Sequence, residues 1–184
     1  MTMQPPTLLL DPDDLERMPD GDQYELIDGV LQEKHMGAES DHLSLKLGSI
    51  ILAFVERHRL GHVFGSQTGY RCFPHRKRQV RKPDVSFVAN GRLTDQKIPK
   101  GDILIAPDIA VEVVSPNDLY EEIEEKIDDY IQSGVKLIWI VSPTWKTVQI
   151  RRLDLTAAIV TATGTLSGED VIPGFTCPLA DLFV

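Results

Sequence analysis

Residues 109–114, Ile-Ala-Val-Glu-Val-Val, form an unbroken apolar run with one acid, Glu112, inside it. A short continuous apolar run bounded by turn residues is the pattern of a strand covered on both faces, so helices must lie above and below it. A lone carboxylate in such a strand is costly unless a cation neutralises it. Ser115-Pro116-Asn117-Asp118 then makes a turn, and 118–133 is an acidic helix carrying one basic residue, Lys126. With Leu119 at zero and about 100° per residue, Ile123, Ile127, Tyr130 and Ile131 fall in one stripe, and Lys126 borders it. Gly134 ends the helix. Twenty-eight residues before Glu112, Pro83-Asp84 opens a second apolar run, 84–89.

The remaining elements follow in order. Residues 1–20 hold four prolines and many aspartates, an extended lead-in with one helical turn at 11–18. Tyr24–Ile27 and 30–35 flank Asp28-Gly29, a strong hairpin signal. Glu25 shares a strand face with Ile27; it is either a carboxylate held near a site or a solvent-facing edge residue, and both readings stand. Leu43, Leu47, Ile50, Ile51, Phe54 and Val55 repeat at helical spacing over 39–59, with Ser40 as N-cap and Gly61 just past the end. His42 lies off that stripe, facing either a cleft or water. Residues 62–64 and 68–73 read as strands, bent around Gly65 and Gly69. Residues 91–107 read as a loop, 137–141 as a buried strand and 147–153 as a half-exposed one. Residues 157–163 and 164–166 extend that meander, and the tail packs Phe175, Leu179, Leu182 and Phe183.

The chain of 184 residues, 42% hydrophobic and 26% charged, suits one soluble globular domain over 21–184. No apolar run approaches the roughly 20 residues of a membrane helix, and the N-terminus lacks the basic start of a signal peptide. Cys72 and Cys177 lie far apart without metal-ligand spacing. Free thiols in a reducing cytoplasm are the expectation, with a disulfide as the other reading. The net charge of −9 argues against indiscriminate coating of nucleic acid. Yet Arg71, Arg76, Lys77, Arg78, Arg81 and Lys82 place six of the 19 basic residues in one short arm, 71–82, leading into Asp84.

Two lone carboxylates on neighbouring buried strands, with a lysine beside them, are the parts of a metal-assisted phosphodiester hydrolase. Mg²⁺ or Mn²⁺ suits Asp84, Glu112 and a main-chain carbonyl such as that of Val113, with waters completing the shell. Lys126 would position the attacking water, and the basic arm would meet the phosphate backbone. Plainer readings remain. Asp84 caps a strand, Glu112 and Lys126 form a structural ion pair, Lys126 pairs with Glu122 along the helix, and the arm is a solvated loop.

Taken together, Pro-Asp-Val-Ser-Phe-Val at 83–88, Asp-Ile-Ala-Val-Glu-Val-Val-Ser-Pro-Asn-Asp at 108–118 and the Lys126, Tyr130, Gly134, Val135 and Trp139-Ile140-Val141 pattern resemble the bacterial Uma-type restriction endonuclease family of the PD-(D/E)XK nuclease superfamily. Tyr-Glu-Leu-Ile-Asp-Gly-Val-Leu at 24–31 is similar to the family's opening hairpin, and Ser-Asp-His-Leu-Ser-Leu-Lys-Leu at 40–47 to the start of its long helix. The resemblance covers 22–183. It implies an α/β fold with an αβββαβ core, an N-terminal hairpin and C-terminal strands. It implies Asp84, Glu112 and Lys126 as catalytic residues, Glu25 as the hairpin glutamate and His42 as a motif match without a role. The superfamily's lysine sits two residues after the glutamate, where this chain has Val114; Lys126 on the next helix stands in for it. The implied substrate is DNA. The competing function is a non-catalytic nucleic-acid-binding or assembly module on the same fold. A homodimer would meet through a strand edge or the C-terminal segment.

Overall fold

The computed structural model describes residues 9–115 and 118–183. Pro116 and Asn117, part of the expected turn, and most of the lead-in's first half lie outside them. A short helix, α1 (Pro12–Arg17), begins after Asp11, whose N–H donates to the Asp14 carboxylate at 2.9 Å. The hairpin β1 (Tyr24–Ile27) and β2 (Val30–Glu33) turns through Asp28 and Gly29, both with positive φ. That conformation is what an Asp-Gly turn supplies.

Helix α2 (Ala38–His58) starts one residue before the expected span, with its cap three residues ahead of Ser40. Gly37 is its N-cap, and Ser40 is buried within the first turn rather than capping it. Its C-cap is Arg59 in the left-handed region, with φ 54°, so Gly61 is left free to enter the next strand.

The central sheet has the order β3 (Gly61–Gly65), β4 (Val85–Ala89), β5 (Ile109–Val113), β6 (Leu137–Ser142), β7 (Thr147–Arg152) and β8 (Ala157–Val160). Only β5 and β6 run parallel, joined across the sheet by α3 (Tyr120–Ser133). The order α2-β3-β4-β5-α3-β6 is the expected αβββαβ core.

Alternation sorts the two faces. Val85, Phe87, Ile109, Val111 and Trp139 pack beneath Leu43, Leu47, Ile51 and Val55 of α2. Ala110, Ile138 and Ile140 pack against Ile127 and Tyr130 of α3. The tail, β10 (Thr176–Pro178) with α4 (Leu179–Leu182), seals the α2 layer through Phe175, Leu179 and Leu182.

Three expectations need correction. Residues 68–73 are not a strand: Tyr70 alone makes isolated bridges, to Arg81 and Ile103, and its phenol is tied to Ser86 at 2.7 Å. The meander ends at Val160, and β9 (Thr165–Ser167) leaves it to pair with β10. The basic arm is only half a surface loop. Gln79, Val80, Arg81 and Lys82 are buried, with Val80 bridged to Leu26 of the hairpin.

Candidate active site

The antiparallel register runs as far as Val85 with Val111, so Asp84 stands just before β4 and Glu112 lies next to Val111 on β5. The Asp84 N–H continues the ladder to Val111 O at 2.9 Å. Both acids are 6% exposed and border one cavity with Lys126 of α3. Like charges gathered in one buried cavity repel, so the pair demands cations.

Two lysines supply them. Lys126 reaches in from α3, with Nζ 3.1 Å from Glu112 Oε2 and 3.6 Å from Glu25 Oε2. One turn on, Tyr130 donates its hydroxyl to Glu112 Oε1 at 2.6 Å. Residues i and i+4 of one helix thus hold both oxygens of one carboxylate. Lys34, at the end of the hairpin, places Nζ 2.8 Å from Asp84 Oδ1, while the Val113 N–H donates to Asp84 Oδ2 at 2.7 Å.

Glu25 is 2% exposed, so the solvent-facing reading of this residue does not hold. It accepts from the Lys82 N–H at 2.7 Å and from Arg81 at 3.2 Å. Arg81 turns its Nε to Asp129 at 2.7 Å, and Gln79 donates to the same oxygen of Asp129 at 2.6 Å. Charges of alternating sign therefore run from Glu112 through Lys126, Glu25 and Arg81 to Asp129.

The surroundings set the protonation states. Burial pushes the Glu25 carboxyl up, but Lys126, Arg81 and Lys34 together overcome it and hold its pKa at about 2. Burial raises the Glu112 carboxyl; Lys126 opposes this and the neighbouring Asp84 adds to it. Burial alone would lower Lys126, but Glu112, Glu25 and Asp84 push it well above an ordinary lysine, so it remains an ammonium.

Glu25, Lys34, Asp84, Glu112 and Lys126 line a cavity of about 430 Å³ between the hairpin and α3. Its rim adds Glu33, Asp118 and Glu122, so the mouth is acidic. A second cavity, of about 450 Å³, opens beside α1 and the 98–103 loop; of the groups above, only Lys82 borders it.

The other expected residues lie elsewhere. His42 is exposed on α2 and does not line the site. Val114, at the usual lysine position, lines the cavity without bringing a charge. Arg81 and Lys82 face the interior, the latter donating to Gly21 O at 2.7 Å, so neither is a surface contact. Arg71 pairs with Asp13, and Arg76 with Glu125 and Asp129. Lys77 and Arg78 are the exposed members of the arm, Arg78 resting on Asp11 at 2.8 Å.

Sequence reasoning missed Lys34, the phenol of Tyr130 and Asp129. A lysine ending a hairpin carries no signal, and Tyr130 fitted an apolar stripe. Asp129 had one: it stands three residues after Lys126, about 60° away around the helix.

The donor chemistry fits a hard divalent cation, because two buried carboxylates and main-chain oxygen are the ligands Mg²⁺ takes, with waters filling the rest of its shell. Among the described residues there is no cluster of three His, Cys, Asp or Glu side chains suited to a metal, so any ion here would rest on the two-carboxylate set. Nor, among them, is there a helix long and apolar enough to cross a membrane.

An αβββαβ core with one acid at the head of β4 and another in the adjacent β5 defines a nuclease-like α/β fold. The chain belongs to the Uma2 family, whose members are described as putative restriction endonucleases; the family model matches residues 12–180. The structure also matches the crystal structure of a putative nuclease of the DUF820 family from Anabaena variabilis, with a TM-score of 0.75 and 20% identity over 87% of this chain and 89% of that one. That likeness is one of fold. A comparison with curated proteins gives no match.

Proposed function

We propose that this chain is a Mg²⁺- or Mn²⁺-dependent endonuclease of the PD-(D/E)XK type that hydrolyses DNA phosphodiesters. The observation that carries this reading is the inward ammonium of Lys126, seated on Glu112 in the cavity that Asp84 also lines. Asp84 and Glu112, with the carbonyl of Val113, would hold the ion. A bound divalent ion supplies Lewis acidity, polarising the phosphodiester and making its water a stronger nucleophile.

The chain's own groups do the rest. Lys126 cannot take a proton, since its neighbours keep it charged. It acts as donor and fixed cation, orienting the attacking water and countering charge that builds on the phosphoryl oxygens. Water adds at phosphorus and gives up a proton to solvent, while the bond from phosphorus to the departing oxygen breaks and that oxygen takes a proton from solvent. Glu25 and Glu112 hold Lys126 from two sides, while Tyr130 fixes Glu112. Lys77 is the exposed member of the arm best placed to meet a phosphate backbone, and Arg78 would have to leave Asp11 to join it.

The test is cleavage of plasmid DNA with millimolar Mg²⁺ or Mn²⁺ by the parent and by Asp84→Ala. Cutting by the parent and none by the variant is expected. Equal cutting by both would remove the basis of the proposal.

One observation favours the second reading, a non-catalytic module. The mouth is acidic and most of the basic arm is spent on internal pairs, so little positive surface greets a polyanion. Calorimetry separates the two readings: no heat and no shift in melting temperature with Mg²⁺ or Mn²⁺ would favour the module. A homodimer would join through the β8 edge, where Ile159 is exposed; light scattering tests this.

A further inference from the structure

Lys34 is placed as an internal cation of the site. Its ammonium has three oxygens around it: Asp84 Oδ1 at 2.8 Å, the Lys82 carbonyl at 2.6 Å and the Ser66 carbonyl at 3.4 Å. Its three protons are therefore all used. The lysine side chain is only 12% exposed, so water screens the charge poorly. The carboxylate it touches has its other oxygen committed to the Val113 N–H. Asp84 thus has no oxygen left that lacks a partner, and one partner is a full positive charge.

We infer that Lys34 is a built-in competitor of the divalent ion: it neutralises Asp84 while the site is metal-free, and metal binding must displace or strain it. The inference rests on the metal-dependent reading above. Two consequences follow from charge alone. A dication arriving at Asp84 meets the repulsion of an ammonium that lies 2.8 Å from the same carboxylate, which weakens the affinity. Without the ammonium, the metal-free protein keeps two carboxylates in one cavity with one fewer cation, which lowers its stability. Lys34 therefore trades metal affinity for a site that stays intact when empty. Lys126 pairs with Glu112 and Glu25, so Lys34 is the cation in direct contact with Asp84.

The experiment measures Mn²⁺ affinity by calorimetry and melting temperature with and without Mn²⁺, for the parent, Lys34→Met and Lys34→Gln. Should Lys34→Met fail to fold metal-free, Lys34→Gln retains an amide donor for the carbonyls and keeps the comparison. The expected result is affinity at least roughly tenfold tighter in the variants. A lower metal-free melting temperature and a larger rise on adding Mn²⁺ should accompany it. Affinity equal to or weaker than the parent's would overturn the role of Lys34 and leave metal dependence standing. Absence of binding in parent and variants alike would overturn both, and Asp84→Asn shows what that absence looks like.

Discussion

The Tyr130 hydroxyl donates to Glu112 Oε1 at 2.6 Å from a wholly buried position on α3. Tyr130 thus belongs to two systems at once. Its ring fills the core beneath α3 beside Ile127 and Ile138, and its oxygen fixes the acid that holds Lys126. Tyr130→Phe keeps the ring and removes the donor. A buried carboxylate oxygen left without its partner costs about 1–3 kcal/mol. For a chain of this length, each kcal/mol lowers the melting temperature by about 2–4 °C. Thermal melts check this, and a variant as stable as the parent would mean that the oxygen finds water instead.

Arg81 and Lys77 sit four residues apart in the basic arm and should behave as opposites. Arg81 is 1% exposed and serves Glu25 and Asp129 together. Arg81→Met takes from both buried acids a cation they share, at about 3–5 kcal/mol, the range for a broken buried pair. Lys77 is exposed, and Lys77→Ala should stay within about 0.5 kcal/mol of the parent in urea unfolding. If the arm meets DNA, Lys77→Ala lowers the salt dependence of binding by about one phosphate contact. A salt slope unchanged by Lys77→Ala would take this residue out of the interface.

The contrast within that arm shows where sequence reading stops. Continuous apolar runs at 84–89, 109–114 and 137–141 could only be covered strands, and the helices beside them had clear stripes. The order of the core was legible for that reason, as was the meeting of Asp84 with Glu112 on adjacent strands. A run of basic residues carries no such information about its partners. Asp129, Glu25 and Gly21 lie about 50 to 60 residues from the arginine or lysine they hold, and nothing local announces those pairs. The same distance hid Lys34 from Asp84. The false strand at 68–73 failed differently: only Tyr70 had a neighbouring backbone to bridge.

Glu25 should dominate the acid limb of the stability curve. Its folded pKa, about 2, lies below the ordinary 4.5. The stability it contributes is therefore complete above about pH 4.5 and is lost as the pH falls toward 2. The whole contribution is on the order of 3 kcal/mol for a group this buried. Glu112 works in the reverse sense, because its raised pKa favours the folded protein at low pH. Urea unfolding from pH 5 to 2 should thus show a steep loss in the parent and a flatter one in Glu25→Gln. Parallel curves would place the acid sensitivity in other carboxylates.

Lys126 sets the last expectation, since its charge state decides what it can do. Three carboxylates keep it protonated beyond the ordinary lysine range. A group so held cannot serve as a base, but it can stabilise charge in the transition state. Lys126→Gln should lose roughly 10²–10³ in kcat, the scale of removing one well-placed donor from a site of charge development. Lys126→Arg keeps the cation and should recover part of the rate, though the wider guanidinium disturbs the grip of Glu25 and Glu112. Across neutral pH to about pH 10, the parent's rate should show no inflection from this residue. A basic-side inflection in the parent that vanishes in Lys126→Arg would mean that the amine titrates during turnover, and the assignment of Lys126 as a permanent cation would have to be given up.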